Sequence, residues 1–190
     1  MPNKKNKVKF KLRCAYYSKA TIADDGEITY ATPVRIPGAV SLSLSPEGDT
    51  VALKADACDY YVGASNNGYS GDAEFALIPD SFKTDCIGET KVETDNVYLE
   101  HDSAQPSPFA FLFEFEGDVK NTRHVLYMCY ASRPAVEAEN PDNREPKTES
   151  LTIKAVPREI DGLIKAKTGE DTPDTTYNGW YTNVYVPSES

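Results

Sequence analysis

Histidine is nearly missing from this chain: its 190 residues hold two, His101 and His124. They do not form an HxxxH pair or any other zinc spacing, so a zinc centre is not expected. His124 falls in a strand-like segment and reads as a structural histidine. The four cysteines, Cys14, Cys58, Cys86 and Cys129, are widely spaced and contain no CxxC. An even number allows two disulfides. No apolar segment of a secretory signal follows Met-Pro-Asn-Lys-Lys, so free thiols and cytosolic synthesis are the expectation. The longest apolar run is FAFLF (109–113), too short to cross a bilayer, and no membrane insertion is expected.

Enzyme signatures are also missing. The sequence has no GxSxG, no glycine-rich phosphate loop and no dinucleotide fingerprint. Asp24-Asp25-Gly26-Glu27 lacks the ligand spacing of a calcium loop and reads as a turn. Glu114 and Glu116 lie two residues apart on one strand face. Paired carboxylates can perform acid–base chemistry, but no nucleophile, base partner or metal motif accompanies them, so a solvated face is expected. The sequence therefore points to a protein that is not an enzyme, with no catalytic, cofactor or metal residues.

What is present is acid. There are 30 Asp and Glu against 20 Lys and Arg, a net charge of -10. The imbalance is uneven. Residues 1–19 carry Lys4, Lys5, Lys7, Lys9, Lys11, Arg13 and Lys19 with no acid, which leaves the rest of the chain at net -17. A basic arm on an acidic body invites one copy to dock on the next, through Lys7, Lys9, Lys11 and Arg13; the plainer alternative is a solvated N-terminal strand. Tight binding to nucleic acid is disfavoured, because only residues 4–13 concentrate basic charge.

Period-two patterning predicts a mainly β fold with a largely antiparallel sheet. Val8, Phe10, Leu12, Cys14 and Tyr16 alternate with a basic set. Val40, Leu42 and Leu44 alternate with Ser41, Ser43 and Ser45. Phe111, Phe113 and Phe115 alternate with Leu112, Glu114 and Glu116, and Leu151, Ile153 and Ala155 with Ser150, Thr152 and Lys154. Asp25-Gly26, EGDVKN (116–121) and Asp161-Gly162 read as turns. Asn67-Gly68, between DYYVGAS and YSGDAEFALI, predicts a hairpin. Two short helices are expected. One spans 79–88, with Asp80 or Ser81 as cap, Phe82 and Cys86 on one face and Gly88 at its end. The other, in 173–185, is capped by Asp174 and places Tyr177, Trp180, Tyr181 and Val184 on one side. Residues 89–108 can hold a short hairpin. The length suits one domain over 1–190, with residues 1–6 as an arm and 135–150 as a long polar loop.

Five stretches, in this order, resemble the major tail (tail tube) proteins of long-tailed, siphovirus-like bacteriophages of Gram-positive hosts. They are ITYATPVRIPGAVSLSLSPEGD (28–49), VGASNNGYSGDAEFALIPDSF (62–82), PFAFLFEFEGDVKNTRHVLYMCYASRP (108–134), GLIKAKTGEDT (162–172) and YNGWY (177–181). The resemblance spans roughly residues 7 to 187. It implies an antiparallel β-sandwich or barrel with flanking helices. It also implies a structural subunit that closes into rings, by expectation hexameric, which stack into a hollow tube for DNA delivery. The partners it implies are further copies of the chain, the tape-measure protein, the tail terminator and distal tail or baseplate proteins, with non-specific passage of double-stranded DNA. The location it implies is the virion tail, with the host cytoplasm during assembly. Within that picture either Ser41, Ser43 and Ser45 or Glu114 and Glu116 line the lumen. Residues 46–57, with Glu47, Asp49, Lys54 and Asp56, form a loop or hairpin that reaches the next ring. The competing reading is a monomeric β-sandwich binding module of a virion or cell surface, for carbohydrate or protein, whose tyrosines would supply a stacking platform.

Overall fold

The computed structural model describes residues 5–137 and 146–187. The strands run β1 (Lys9–Ile22), β2 (Ile28–Tyr30), β3 (Val34–Ile36), β4 (Ala39–Glu47), β5 (Thr50–Ala55), β6 (Cys58–Ala64) and β7 (Gly68–Phe75). A short helix, α1 (Asp80–Phe82), continues into a π-helical turn, Lys83–Ile87. Then come β8 (Thr90–Val92), β9 (Val97–Leu99), β10 (Phe109–Gly117), β11 (Thr122–Ala131), β12 (Glu149–Val156), β13 (Lys165–Lys167) and α2 (Asp174–Gly179). The fold is mainly β, as the alternation requires, and every pairing is antiparallel.

Nine strands form one sheet in the order β2-β1-β10-β11-β12-β7-β4, with β3 on the edge of β1 and β13 on the edge of β11. One edge of β11 is shared. Its first half, His124–Leu126, pairs with β13, and its second half, Met128–Ala131, pairs with β12. The β12-β7-β4 layer and the β1-β10-β11 layer enclose a common core. Leu151, Ile153, Ala73 and Phe75 from the first layer pack with Ala15, Tyr17, Phe109, Phe111 and Phe113 from the second. The α1 segment plugs one end of this core. Phe82 and Cys86 are fully buried, and the Tyr17 hydroxyl lies 2.9 Å from Asp85 Oδ2. Gly88, left-handed at φ 95°, ends the segment as expected. The residue at the N-terminal boundary is Pro79, with no side-chain cap, so the expected Asp80 or Ser81 cap does not form.

The other face of β10 and β11 is covered as well. Ala110, Leu112, Val125 and Tyr127 form a second core under Trp180, with Tyr16, Tyr181 and Val184 around it. The predicted aromatic side of the C-terminal helix is thus what α2 and the following turn present to the sheet. Asp174 does not cap it; the boundary residue is Pro173.

Three expectations are corrected by register. In β1, Leu12 pairs with Phe115 and Cys14 with Glu114, so Arg13 is an extra residue, and a second irregularity lies between Lys9 and Leu12. A bulge switches every later side chain to the opposite face. Ala15 and Tyr17, not Cys14 and Tyr16, therefore join Leu12 in the main core, while Val8 and Phe10 stand in solvent. In β4 a bulge between Ala39 and Ser41 expels Val40 and turns Ala39 inward beside Leu42 and Leu44. Asn67-Gly68 does not close a hairpin. β6 pairs with β5, and β7 pairs with β12 and β4. Gly68 serves close approach instead: at φ 110°, an added Cβ would overlap the Ala155 carbonyl oxygen.

Other turns form where predicted. Asp25-Gly26 joins β1 to β2, Gly162 turns before β13, and β8–β9 is the short hairpin inside 89–108. The four cysteines are free thiols.

Candidate assembly surfaces

Three surfaces could carry a binding or assembly role. The most exposed is the β5–β6 hairpin, which forms a two-stranded sheet of its own. The β4–β7 ladder runs into it through amide bonds from Asn67 to the Glu47 carbonyl (2.8 Å) and from Ser65 to the Asp49 carbonyl (2.9 Å). Beyond that junction the two strands leave the sandwich. No residue from 48 to 67 is buried. Val51, Leu53, Tyr60, Tyr61 and Val62 are all more than half exposed, Tyr60 reaching 72%. At about 3.3 Å per residue the six residues of β5 reach about 20 Å. A lone two-stranded hairpin is marginal in water, and apolar side chains gathered this way mark a surface meant to be covered. Its tip is the pair Asp56 and Ala57, both at positive φ, as a tight two-residue hairpin turn requires. Leu53 faces Tyr61 across the strands, and Lys54 faces Asp59. Of the proposed stacking residues, Lys54 and Asp56 stand at this tip. Asp49 is at its root, and Glu47 is tied to Lys154 at 3.3 Å.

The second surface is the outer face of β4, β7 and β12. Ser41, Ser43 and Ser45 are exposed there, side by side with Glu74, Asp72 and Ser70 on β7, and these in turn with Ser150, Thr152 and Lys154 on β12. Hydrogen bonds knit the rows. Ser41 donates to Glu74 Oε2 (2.9 Å), Thr148 to Glu74 Oε1 (2.5 Å) and Thr152 to Asp72 Oδ1 (2.8 Å). The hydroxyl bonds hold the Glu74 carboxyl below its ordinary pKa. The result is a flat lattice of hydroxyls and carboxylates in which Lys154 is already paired with Glu47. Sequence reasoning found the serine row and the polar face of β12 but missed Asp72 and Glu74 between them. The signal was the alternation Ser70, Asp72, Glu74 in YSGDAEF.

Glu114 does not belong to a solvated face. It is 6% exposed and accepts hydrogen bonds from Arg123 Nε (2.7 Å), Asn121 Nδ2 (2.6 Å) and Tyr181 (3.3 Å). Arg123 also donates to the Tyr177 carbonyl and stacks on the Tyr177 ring at 3.8 Å. This cluster fastens α2 to the sheet. Glu116 is partly exposed and pairs with Arg13 at 3.4 Å.

The third surface is the N-terminal arm, and the described part of it is already engaged. Asn6 Oδ1 accepts the Val119 and Lys120 amides (2.9 and 3.0 Å), and the Asn6 amide donates to Glu170 Oε1 at 3.2 Å. The Lys7 amide donates to Asp118 (2.8 Å), Lys9 lies 4.8 Å above the Phe115 ring, and Arg13 pairs with Glu116. Lys11 projects into solvent. Residues 1–4 of the arm and 138–145 of the long polar loop lie outside the described residues.

His124 stacks on Phe113 with ring centroids 5.0 Å apart. Burial, reinforced by Lys167, Lys165 and Lys9, holds its imidazole down at about 4. Among the described residues no group of three or more His, Cys, Asp or Glu is placed to hold a metal ion, and no helix is long and apolar enough to cross a membrane. No family model matches the chain, and no curated protein matches it in sequence.

Proposed function

We propose that this chain is a structural subunit of a phage tail tube, self-assembling into stacked, hexameric rings that conduct DNA, with no catalytic role. The observation that carries the reading is the β5–β6 hairpin, an apolar projection that none of the described residues covers. Two further features support it. Among the described residues β4 pairs only with β7, so its outer edge is open to a strand of a neighbour. Such head-to-tail contacts close into rings when the rotation permits. The hydroxyl-carboxylate face of β4, β7 and β12 suits a conduit wall, because it does not grip phosphate. Six copies at -10 would give a ring about -60 overall.

In this reading Ser41, Ser43 and Ser45 line the lumen together with Asp72 and Glu74, and Glu114 is an internal strut. The tape-measure, terminator and baseplate proteins are the further partners, and the virion tail is the location. The test is sedimentation velocity of the purified chain beside Val51→Ser/Leu53→Ser/Tyr61→Ser. The wild type should form large species and the variant should stay monomeric with unchanged circular dichroism.

Tyr60 and Tyr61, 72% and 65% exposed, keep a second reading in view: a monomeric module that stacks sugar rings. That protein would stay monomeric at every concentration and bind carbohydrate.

A further inference from the structure

The two layers of the sandwich do not close at one end. A groove of about 400 Å³ opens between them. Leu42 and Leu44 of β4 form one wall, and Phe113 and Phe115 of β10 the other. Two lysines guard the mouth. Lys9 lies over the Phe115 ring at 4.8 Å, and Lys165 lies over the Tyr69 ring at 4.2 Å while donating to its hydroxyl. An occupant of this site must be apolar in its body and acidic near its entry point.

The same chain displays such an object. The β5–β6 hairpin carries Leu53, Tyr60 and Tyr61 uncovered, with Asp56 and Asp59 beside them at the tip. The hairpin tip, Lys54 to Asp59, holds two acids against one base. Resting on the assembly reading above, we propose that the groove is the socket for the hairpin tip of a second copy. Tyr60 or Tyr61 enters between the leucine and phenylalanine walls, and Asp56 and Asp59 meet Lys9 and Lys165. Desolvated aromatic anchors with complementary charge around them are the usual source of affinity at such contacts. The contact is heterologous: each copy offers one tip and one socket, so it propagates rather than stopping at two.

Leu44 lies on the groove wall, and Cys58 lies at the tip. This permits a test with one added thiol. Leu44→Cys is oxidised under mild conditions, and its products are read on non-reducing gels beside negative-stain images of the same sample. The socket predicts a ladder of trimers and longer chains, because tip-to-groove links repeat, whereas links between two Cys58 thiols end at dimers. The ladder should vanish in Leu44→Cys/Cys58→Ser. It should fall ~10-fold when Lys9→Glu/Lys165→Glu is added, and return when Asp56→Lys/Asp59→Lys is added to that chain. Assembled particles without a ladder, or a ladder indifferent to the charge reversals, would overturn the socket and leave the assembly reading standing. A chain that remains monomeric throughout would overturn both.

Discussion

Glu114 and Arg123 are direct cross-strand partners on β10 and β11, and their side chains meet at 2.7 Å beneath Tyr181. Both are mostly withdrawn from solvent, at 8% and 17% exposure. A buried pair of this kind is worth little against an apolar replacement of both members, but removing one member strands the other charge. Glu114→Ala should therefore cost about 3 kcal/mol in urea unfolding, and Glu114→Leu/Arg123→Met clearly less than the sum of its single changes. Additive costs in that cycle would contradict the pairing.

His124 gives the fold a pH dependence whose sign is fixed. Its ordinary value of 6.5 falls to about 4 in the native chain, first through burial and then through the nearby lysines. Below pH 6.5 the unfolded chain takes up a proton that the native ring refuses. Stability is thus fully present above 6.5, declines as pH falls towards 4, and loses nothing more from this group below that. The loss is about 2 kcal/mol once the ring's partial exposure is allowed for. His124→Phe, which keeps a ring against Phe113, should flatten that part of the stability-against-pH curve.

Trp180 carries the second core. It is 2% exposed and covers Ala110, Leu112, Val125 and Tyr127. Trp180→Ala should cost about 3–5 kcal/mol. It should also loosen the whole C-terminal turn, seen as faster amide exchange over 173–185 before the strands of the main core respond.

Gly68 should tolerate no side chain. Gly68→Ala places a methyl against the Ala155 carbonyl of the neighbouring strand and should cost at least about 2 kcal/mol in thermal or urea unfolding. Gly26, at an open turn where a Cβ meets nothing, should be the milder site.

How far these features were readable from sequence depends on whether strands keep a plain register. β12 does: Leu151, Ile153 and Ala155 are fully buried and Ser150, Thr152 and Lys154 exposed, as alternation demands. β1 and β4 carry bulges, and one extra residue exchanges the two faces, so Phe10 and Val40 were placed inside and lie outside. Alternation cannot reveal a bulge, because the bulge is set by the partner strand. The same limit hid Glu114, whose environment depends on Arg123 across the ladder. The hairpin turn was hidden for another reason. Asp56-Ala57 takes positive φ without glycine or asparagine, while Asn67-Gly68, the stronger turn signal, answers instead to the close approach of β12.

Charge reversal of Lys7, Lys9, Lys11 and Arg13 to Glu probes the arm together with the Lys9 side of the groove mouth. Lys9 and Arg13 already have partners within the chain, so the fold should lose no more than about 1 kcal/mol. Assembly should be blocked in a chain that is still folded. Assembly at the wild-type rate would show that the arm has no role in it.

The central claim is that identical copies cover what one copy leaves exposed. Negative-stain microscopy of the purified chain, concentrated at physiological salt, tests it most directly. The account predicts annular particles or stacked tubes with an open centre. A uniform field of single, globular particles at every concentration would contradict it.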